Sequence, residues 1–259
     1  MESRVLKNLK EIRALGLPVF LRHLGRLRPD RKVTVKVPGV GSIHLRSGDS
    51  DFGSVRQVFV YREYDLAFVT ALDARVRARY EAILAAGETP IIADIGANIG
   101  AASLWFAAQF PNAKIVAVEP DPGNFALLRQ NAAGNPAITV VEAAIGAEPG
   151  YVALESSGDQ SWAIRTVRAE RGVPVLTMDG VIDAAGGGTP FLAKIDIEGF
   201  EAELFGSNLA WIEGYFVVIV EPHDWIMPGA FTSRSFQKAM AGHDFEMFLR
   251  GENIIYARA

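Results

Sequence analysis

The spacing of apolar and polar positions divides the chain near residue 90. Beyond it, strand-sized apolar runs alternate with helix-prone stretches: 91–95 precedes 101–109, 114–119 precedes 124–133, and 138–142 follows. This βαβαβ rhythm predicts an α/β fold of Rossmann-like type, a parallel sheet with helices on both faces. A digression comes next, with extended pieces at 151–155 and 174–177, a loop at 156–160, and Gly186-Gly187-Gly188 as a flexible linker. The rhythm resumes with strand 191–197, helix 201–209, strand 216–221 and helix 233–241. It closes on two strands, 245–249 and 254–257, where a plain dinucleotide-binding sheet would continue with another parallel set.

Ahead of residue 90 the pattern is different. Residues 33–37 and 42–46 alternate apolar and polar side chains around Pro38-Gly39-Val40-Gly41, which predicts a hairpin. Gly48-Asp49-Ser50-Asp51 offers a helix cap before Val55, Val58 and Phe59, and 65–86 reads as one helix with Leu66, Val69, Leu72, Val76, Tyr80, Ile83 and Leu84 on its apolar side. That face needs a partner. Residues 1–89 are therefore expected to form an N-terminal cap of basic helix, hairpin and helix, on a core spanning 90–259.

Composition narrows the classes. Apolar residues make up 49% and charged residues 22%, the balance of a soluble globular chain. Runs such as 216–220 fall far short of the ~20 residues a spanning helix needs, so no transmembrane helix is expected. Without cysteine there is no disulfide framework, cysteine nucleophile or thiolate metal site, and a cytoplasmic location is compatible. The net charge of −4 hides an asymmetry: residues 1–32 carry +6 and the remainder −10. Val5, Leu6, Leu9 and Ile12 fall near one helical face, so the basic segment suits an anionic membrane surface or nucleic acid. The plainer reading, a helix packed on the body or against a second subunit of a homo-oligomer, is preferred. No apolar core follows the early positive charges, so no secretory signal is expected.

The candidate chemistry lies where strands end. Asp94-Ile95-Gly96-Ala97-Asn98-Ile99-Gly100 joins a buried strand to a helix, the carboxyl edge at which open α/β sheets bind ligands, and Gly96 and Gly100 let backbone approach a ligand closely. A pyrophosphate turn would carry a further glycine in the middle, and the Asp94 carboxylate would repel phosphate. S-adenosylmethionine has no phosphate and carries an ammonium and a sulfonium, so a carboxylate there is favourable. Glu119, before Pro120, ends the second strand, where an acid accepts ribose hydroxyls. Glu142 ends the third, and Ala143 and Ala144 leave a slot for adenine. Lys194, Asp196 and Glu198 share one face of the fourth strand as a charged wall. Glu221 and His223 end the fifth and open on the same cleft. Asp196 is expected to position the acceptor, His223 to act as base, and Asp196, Glu198 and Glu221 suit Mg²⁺ as a less favoured alternative. His23, His44 and His243 show no ligand spacing, and Trp162 and Trp225 offer stacking surfaces.

The series Asp-Ile-Gly-Ala-Asn-Ile-Gly, Val-Glu-Pro and above all Lys194-Ile195-Asp196-Ile197-Glu198-Gly199-Phe200-Glu201 resembles the FkbM family of S-adenosylmethionine-dependent methyltransferases over roughly residues 45–257. The resemblance implies a seven-stranded sheet with its last strand antiparallel, and O-methylation of a hydroxyl on a sugar, glycolipid or natural product. It also implies that residues 57–64 precede the cofactor turn with Glu63 and Tyr64 facing the pocket. The long helix between Tyr64 and that turn departs from the family pattern. A nucleic-acid methyltransferase fits less well, because the body is acidic and the motif of amino-group methylation is absent. A non-catalytic module attached to a membrane through its basic end is a further alternative.

Overall fold

The computed structural model describes residues 4–15, 32–46, 50–156, 164–197, 200–224 and 228–259. Among the described residues thirteen strands follow in chain order, β1 to β13. The first two, β1 (Lys32–Val37) and β2 (Gly41–Arg46), form the expected antiparallel hairpin. The central sheet is built from β3 (Pro90–Ile95), β4 (Lys114–Val118), β5 (Ile138–Val141), β10 (Thr189–Ile195), β11 (Val217–Val220), β12 (Glu246–Arg250) and β13 (Asn253–Ala257). Its order is β12-β13-β11-β10-β3-β4-β5, and β13 alone runs against the other six. The seven-stranded, mostly parallel sheet implied by the family resemblance is therefore present.

Period-two side-chain alternation gives the sheet two apolar faces. Ile92, Ile115, Leu192, Ile219 and Ile255 face one cluster, which continues into Val35, Ile43, Leu72, Val76 and Tyr80 of the hairpin and the helix Thr70–Ala85. Ile91, Ile95, Val116, Ile195 and Val218 face the other, against Val181, Leu204 and Phe236 from the helices on that side. The N-terminal elements thus complete a core rather than enclose one of their own. Asn131, on the helix Pro122–Ala132, fastens them: it accepts from His44 N at 2.7 Å and donates to His44 O at 3.0 Å and Ile99 O at 2.8 Å. At the chain start Leu15 is buried, and Glu11, also buried, ion-pairs with Arg56 at 2.8 Å. The described part of the basic segment is therefore packed on the body.

Several elements differ from expectation. Residues 65–86 are not one helix: Asp65 caps a single turn, Leu66–Phe68, and Val69 is extended (φ −124, ψ 110) before Thr70–Ala85 begins. Ser50 precedes Asp51–Val55 without a side-chain cap, and Asp51 instead accepts from Arg46 N and its guanidinium at 2.6–3.0 Å. The expected helix 201–209 stops at Glu201–Leu204, and Asn208 (φ 53) turns the chain toward a second short helix, Trp211–Gly214. The digression is a second sheet of β6 (Ala144–Ile145), β7 (Gly150–Ser156), β8 (Ile164–Ala169) and β9 (Val173–Leu176), ordered β6-β9-β7-β8. Thr177 then caps a helix, Met178–Ala184, that the apolar pattern does not announce. Gly188 packs where a Cβ would stand 2.6 Å from Thr89 O, a tight join in a stretch expected to be flexible.

Candidate active site

The turn after β3 has an unusual backbone. Gly96 (φ 72), Asn98 (φ 51) and Gly100 (φ 86) all adopt left-handed conformations, which glycine takes without steric cost and asparagine tolerates. Each glycine also admits a neighbour. A Cβ at Gly96 would stand 1.7 Å from Asp196 O, and one at Gly100 would stand 2.7 Å from Leu128 Cδ1. The close approach is thus to the chain's own backbone and core, where the sequence suggested a ligand. Gly96 N and Ala97 N, the latter on a buried residue, both donate to Val118 O at 3.0 and 2.9 Å, joining the turn to the end of β4.

Glu119 holds the other side of this joint. It is buried, and it accepts from Asn98 N at 2.8 Å and Asp121 N at 2.9 Å. Burial raises its pKa to about 7 against the lowering effect of those two amides. Pro120 follows it half-buried, Glu142 is exposed, and Ala143 and Ala144 are buried beyond it. The Asn98 Oδ1 atom is buried without a hydrogen-bond partner. An unpaired buried acceptor beside an acid and a glycine turn is a cradle that calls for a donor-bearing ligand.

The charged wall is real and heavily paired. Lys194 is 3% exposed, and its Nζ donates to Gly96 O at 2.7 Å while lying 3.3 Å from Asp196 Oδ2 and 3.5 Å from Asp94 Oδ1. Burial disfavours the ammonium, but Asp196, Asp94 and Glu221 overcome that and raise the lysine pKa. Asp94 is fully buried and accepts from Ser103 Oγ at 2.5 Å, so it forms the floor beneath the turn. Asp196 is partly exposed above it. Burial works against its charge, yet Lys194 and His223 hold its pKa down at about 2.

His223 is not a surface histidine. It is 2% exposed, with Nδ1 2.6 Å from Glu201 Oε1 and Nε2 3.3 Å from Asp196 Oδ1. Burial alone would lower its pKa; the two carboxylates raise it to about 10. Both ring nitrogens thus face carboxylates, an arrangement that favours the doubly protonated ring in the free protein. Glu221, buried beside it, accepts from Gln57 Nε2 at 2.9 Å, and burial followed by the Asp196 charge pushes its pKa up to about 7. Tyr64 is buried among Asp196, Glu221, Asp94 and Glu63, and burial and those charges keep its phenol protonated.

The fold thus gathers Asp94, the 96–100 turn, Glu119, Asp196, Glu221, His223 and Tyr64 on the carboxyl edge of β3, β4, β10 and β11. Glu198, Trp162 and Trp225 lie outside the described residues. Glu63 accepts from Asn253 Nδ2 at 3.1 Å and Glu252 N at 3.3 Å, pinning the β12–β13 turn, and shares Gln57 Nε2 (3.4 Å) with Glu221. His44 and His243 pair with Thr34 and Glu213, apart from this edge. Two contributors escaped the sequence reading. Gln57 reaches Glu221 across 164 positions, and Glu201, quoted only as the end of the family-like stretch and the start of a helix, clamps His223.

A sheet with this strand order, a glycine turn after its first strand and acids closing the next strands is a Rossmann-like α/β sheet with its ligand edge at the carboxyl ends of its strands. Residues 94–251, more than half of the chain, match the Methyltransferase FkbM domain, and the chain belongs to that family. It is similar to Hexuronic acid methyltransferase AglP of Haloferax volcanii, at 23% identity over 176 residues, 67% of this chain and 72% of that protein. It is also similar to Methyltransferase sdnD of Sordaria araneosa, at 46% identity over 54 residues, 21% of each chain. Among solved structures, the FkbM methyltransferase of Methylobacillus flagellatus aligns over 66% of this chain and 43% of that one, at 18% identity and a TM-score of 0.41. Family membership implies S-adenosylmethionine as methyl donor. No described helix is long and apolar enough to cross a membrane.

Proposed function

We propose that the protein transfers a methyl group from S-adenosylmethionine to a hydroxyl of a sugar-containing acceptor, with residues 1–89 serving as the cap of the 90–259 core. The observation that carries the donor side is the cradle itself: the unpaired Asn98 Oδ1 beside the buried Glu119 carboxylate. When bound, the donor supplies an electrophilic methyl on a sulfonium. Glu119 takes the ribose hydroxyls, Asn98 and Gly96 through Gly100 shape the site around the donor's amino-acid part, and Ala143 and Ala144 flank adenine with Glu142 at the rim. Asp94 adds negative charge under the cationic end, held in place by Lys194 and Ser103.

The acceptor hydroxyl must sit about 3 Å from the methyl, in line with the bond that breaks, so positioning supplies much of the acceleration. Asp196, Glu221, His223 and Tyr64 occupy that side of the cleft, and they hold the hydroxyl and receive or direct its proton. Lys194 is a positioning residue, because its contacts are to Asp94, Asp196 and the turn backbone. A sugar acceptor is supported by the similarity to a hexuronic acid methyltransferase. Transfer of a labelled methyl group to a panel of hexoses, hexuronic acids, glycolipids and polyketides tests this. Labelling of a sugar or glycolipid is the expected result, and labelling confined to RNA, DNA or non-sugar acceptors would overturn the acceptor class.

A further inference from the structure

The groups around Asp196 carry an imbalance that the methyl-transfer reading does not use. Asp94 and Glu201 are fully buried, Glu221 and His223 nearly so, and Asp196 is partly exposed. Four carboxylates thus crowd around one obligate cation, Lys194, and one imidazole. Carboxylates removed from water require a counter-charge; Lys194 pairs with Asp94 and Asp196, and His223 with Asp196 and Glu201, so among the described residues Glu221 has no ion pair of its own.

Asp196, Glu221 and His223 each present one ligand atom, and the three atoms lie within 4.8 Å of one another. Donors around an octahedral ion at ~2.1 Å stand roughly 3 Å apart when adjacent and roughly 4.2 Å when opposite. Shifts of a few tenths of an ångström would therefore close the triangle on one ion. Each of the three is also held from behind by a partner outside the triangle. Gln57 Nε2 donates to Glu221 Oε2 at 2.9 Å, Lys194 Nζ lies 3.3 Å from Asp196 Oδ2, and Glu201 Oε1 receives His223 Nδ1 at 2.6 Å. The last is the carboxylate–histidine pairing that fixes an imidazole with its other nitrogen toward a metal. Asp196 Oδ1 lies on that other side, 3.3 Å from His223 Nε2, and a cation entering between them displaces the Nε2 proton to solvent.

We propose that Asp196, Glu221 and His223 bind one divalent cation, with Glu201, Gln57 and Lys194 orienting them. Two carboxylate oxygens and one imidazole nitrogen suit a manganese-type ion better than Mg²⁺, which prefers oxygen alone. Three of six positions remain open. Resting on the methyltransferase reading, the ion deepens it. A hydroxyl of the acceptor, with an adjacent sugar oxygen, takes two of these positions, and coordination lowers the hydroxyl pKa so that its proton passes to solvent. The oxygen then forms the new bond to the methyl carbon as the carbon–sulfur bond breaks, and that electron pair neutralises the sulfonium.

Electron paramagnetic resonance of Mn²⁺ titrated into the full-length, chelator-treated protein tests the site, with S-adenosylmethionine affinity measured on the same samples. One Mn²⁺ per chain is expected. Affinity should fall at least tenfold in Glu221→Gln and about tenfold in Gln57→Leu, which removes no ligand. His243→Gln, at the exposed histidine paired with Glu213, should bind like the parent. Circular dichroism matching the parent excludes misfolding as the cause. Absence of Mn²⁺ binding up to millimolar concentration, or binding undisturbed in Glu221→Gln, would overturn the inference and mean that protons alone offset the charge. If S-adenosylmethionine still binds in that case, only the metal falls; if Mn²⁺ binds and S-adenosylmethionine does not, only the methyltransferase reading falls.

Discussion

Replacing Lys194 by methionine tests whether the wall is held by charge. The substitution keeps most of the side-chain volume and removes the ammonium that lies within 3.5 Å of Asp94, Asp196 and Gly96 O. At an effective dielectric near 20, each ion pair at this range is worth about 5 kcal/mol before desolvation. Desolvating the ammonium offsets much of that in the parent. The variant gains no such relief, because the carboxylates stay buried, and breaking one side of a buried pair costs about 3–5 kcal/mol. For a chain of this size that corresponds to a fall in Tm of about 10 °C. Urea unfolding at pH 7.5, followed by circular dichroism, measures the loss. Combining Lys194→Met with Asp94→Asn removes one uncompensated charge and should recover at least 1 kcal/mol relative to the single variant. A single variant within about 1 kcal/mol of the parent would refute the reasoning, as would a double variant no more stable than the single.

Two further expectations concern the cofactor cradle. Glu119 keeps its proton up to about pH 7 in the folded chain but loses it near 4.5 when unfolded. The folded state therefore holds the extra proton across that window, and this group's contribution to stability falls by up to about 3 kcal/mol as pH rises through it. In the proposed role an ionised Glu119 accepts from the ribose hydroxyls, so S-adenosylmethionine affinity should rise between pH 6 and 8 in the parent and stay flat in Glu119→Gln, read by titration calorimetry. Gly96→Ala places a Cβ against Asp196 O and a side chain on a left-handed backbone, so it should weaken cofactor binding more than tenfold and lower Tm by several degrees.

Much of the fold was legible because buried strands write themselves as apolar runs. The helix Ala101–Gln109 falls where it was expected, and all seven central strands lie within two residues of their expected ends. Errors arose where local pattern and backbone part company. Apolar residues continue through Phe205 and Leu209, but Gly206 and Asn208 end the helix, and Val69 belongs to the same apolar stripe as the helix it interrupts. The second sheet was only half visible, since β6 is two residues long and β8 carries no clean alternation. In the site, types and strand ends were readable, while pairings were not. The reach of Gln57 to Glu221 and the clamp of Glu201 on His223 depend on packing between distant segments, which no local spacing encodes. The glycines were rightly singled out for close approach, but the approaching atoms belong to Asp196 and Leu128.

The cradle proposed for S-adenosylmethionine consists of the 96–100 turn and Glu119. Calorimetric titration of that compound into the purified chain at pH 8, alongside NAD, tests it most directly. Binding of one S-adenosylmethionine per chain, lost in Gly96→Ala and tighter than NAD, is the expected result; tighter binding of NAD, or no heat of binding with S-adenosylmethionine, would contradict the account.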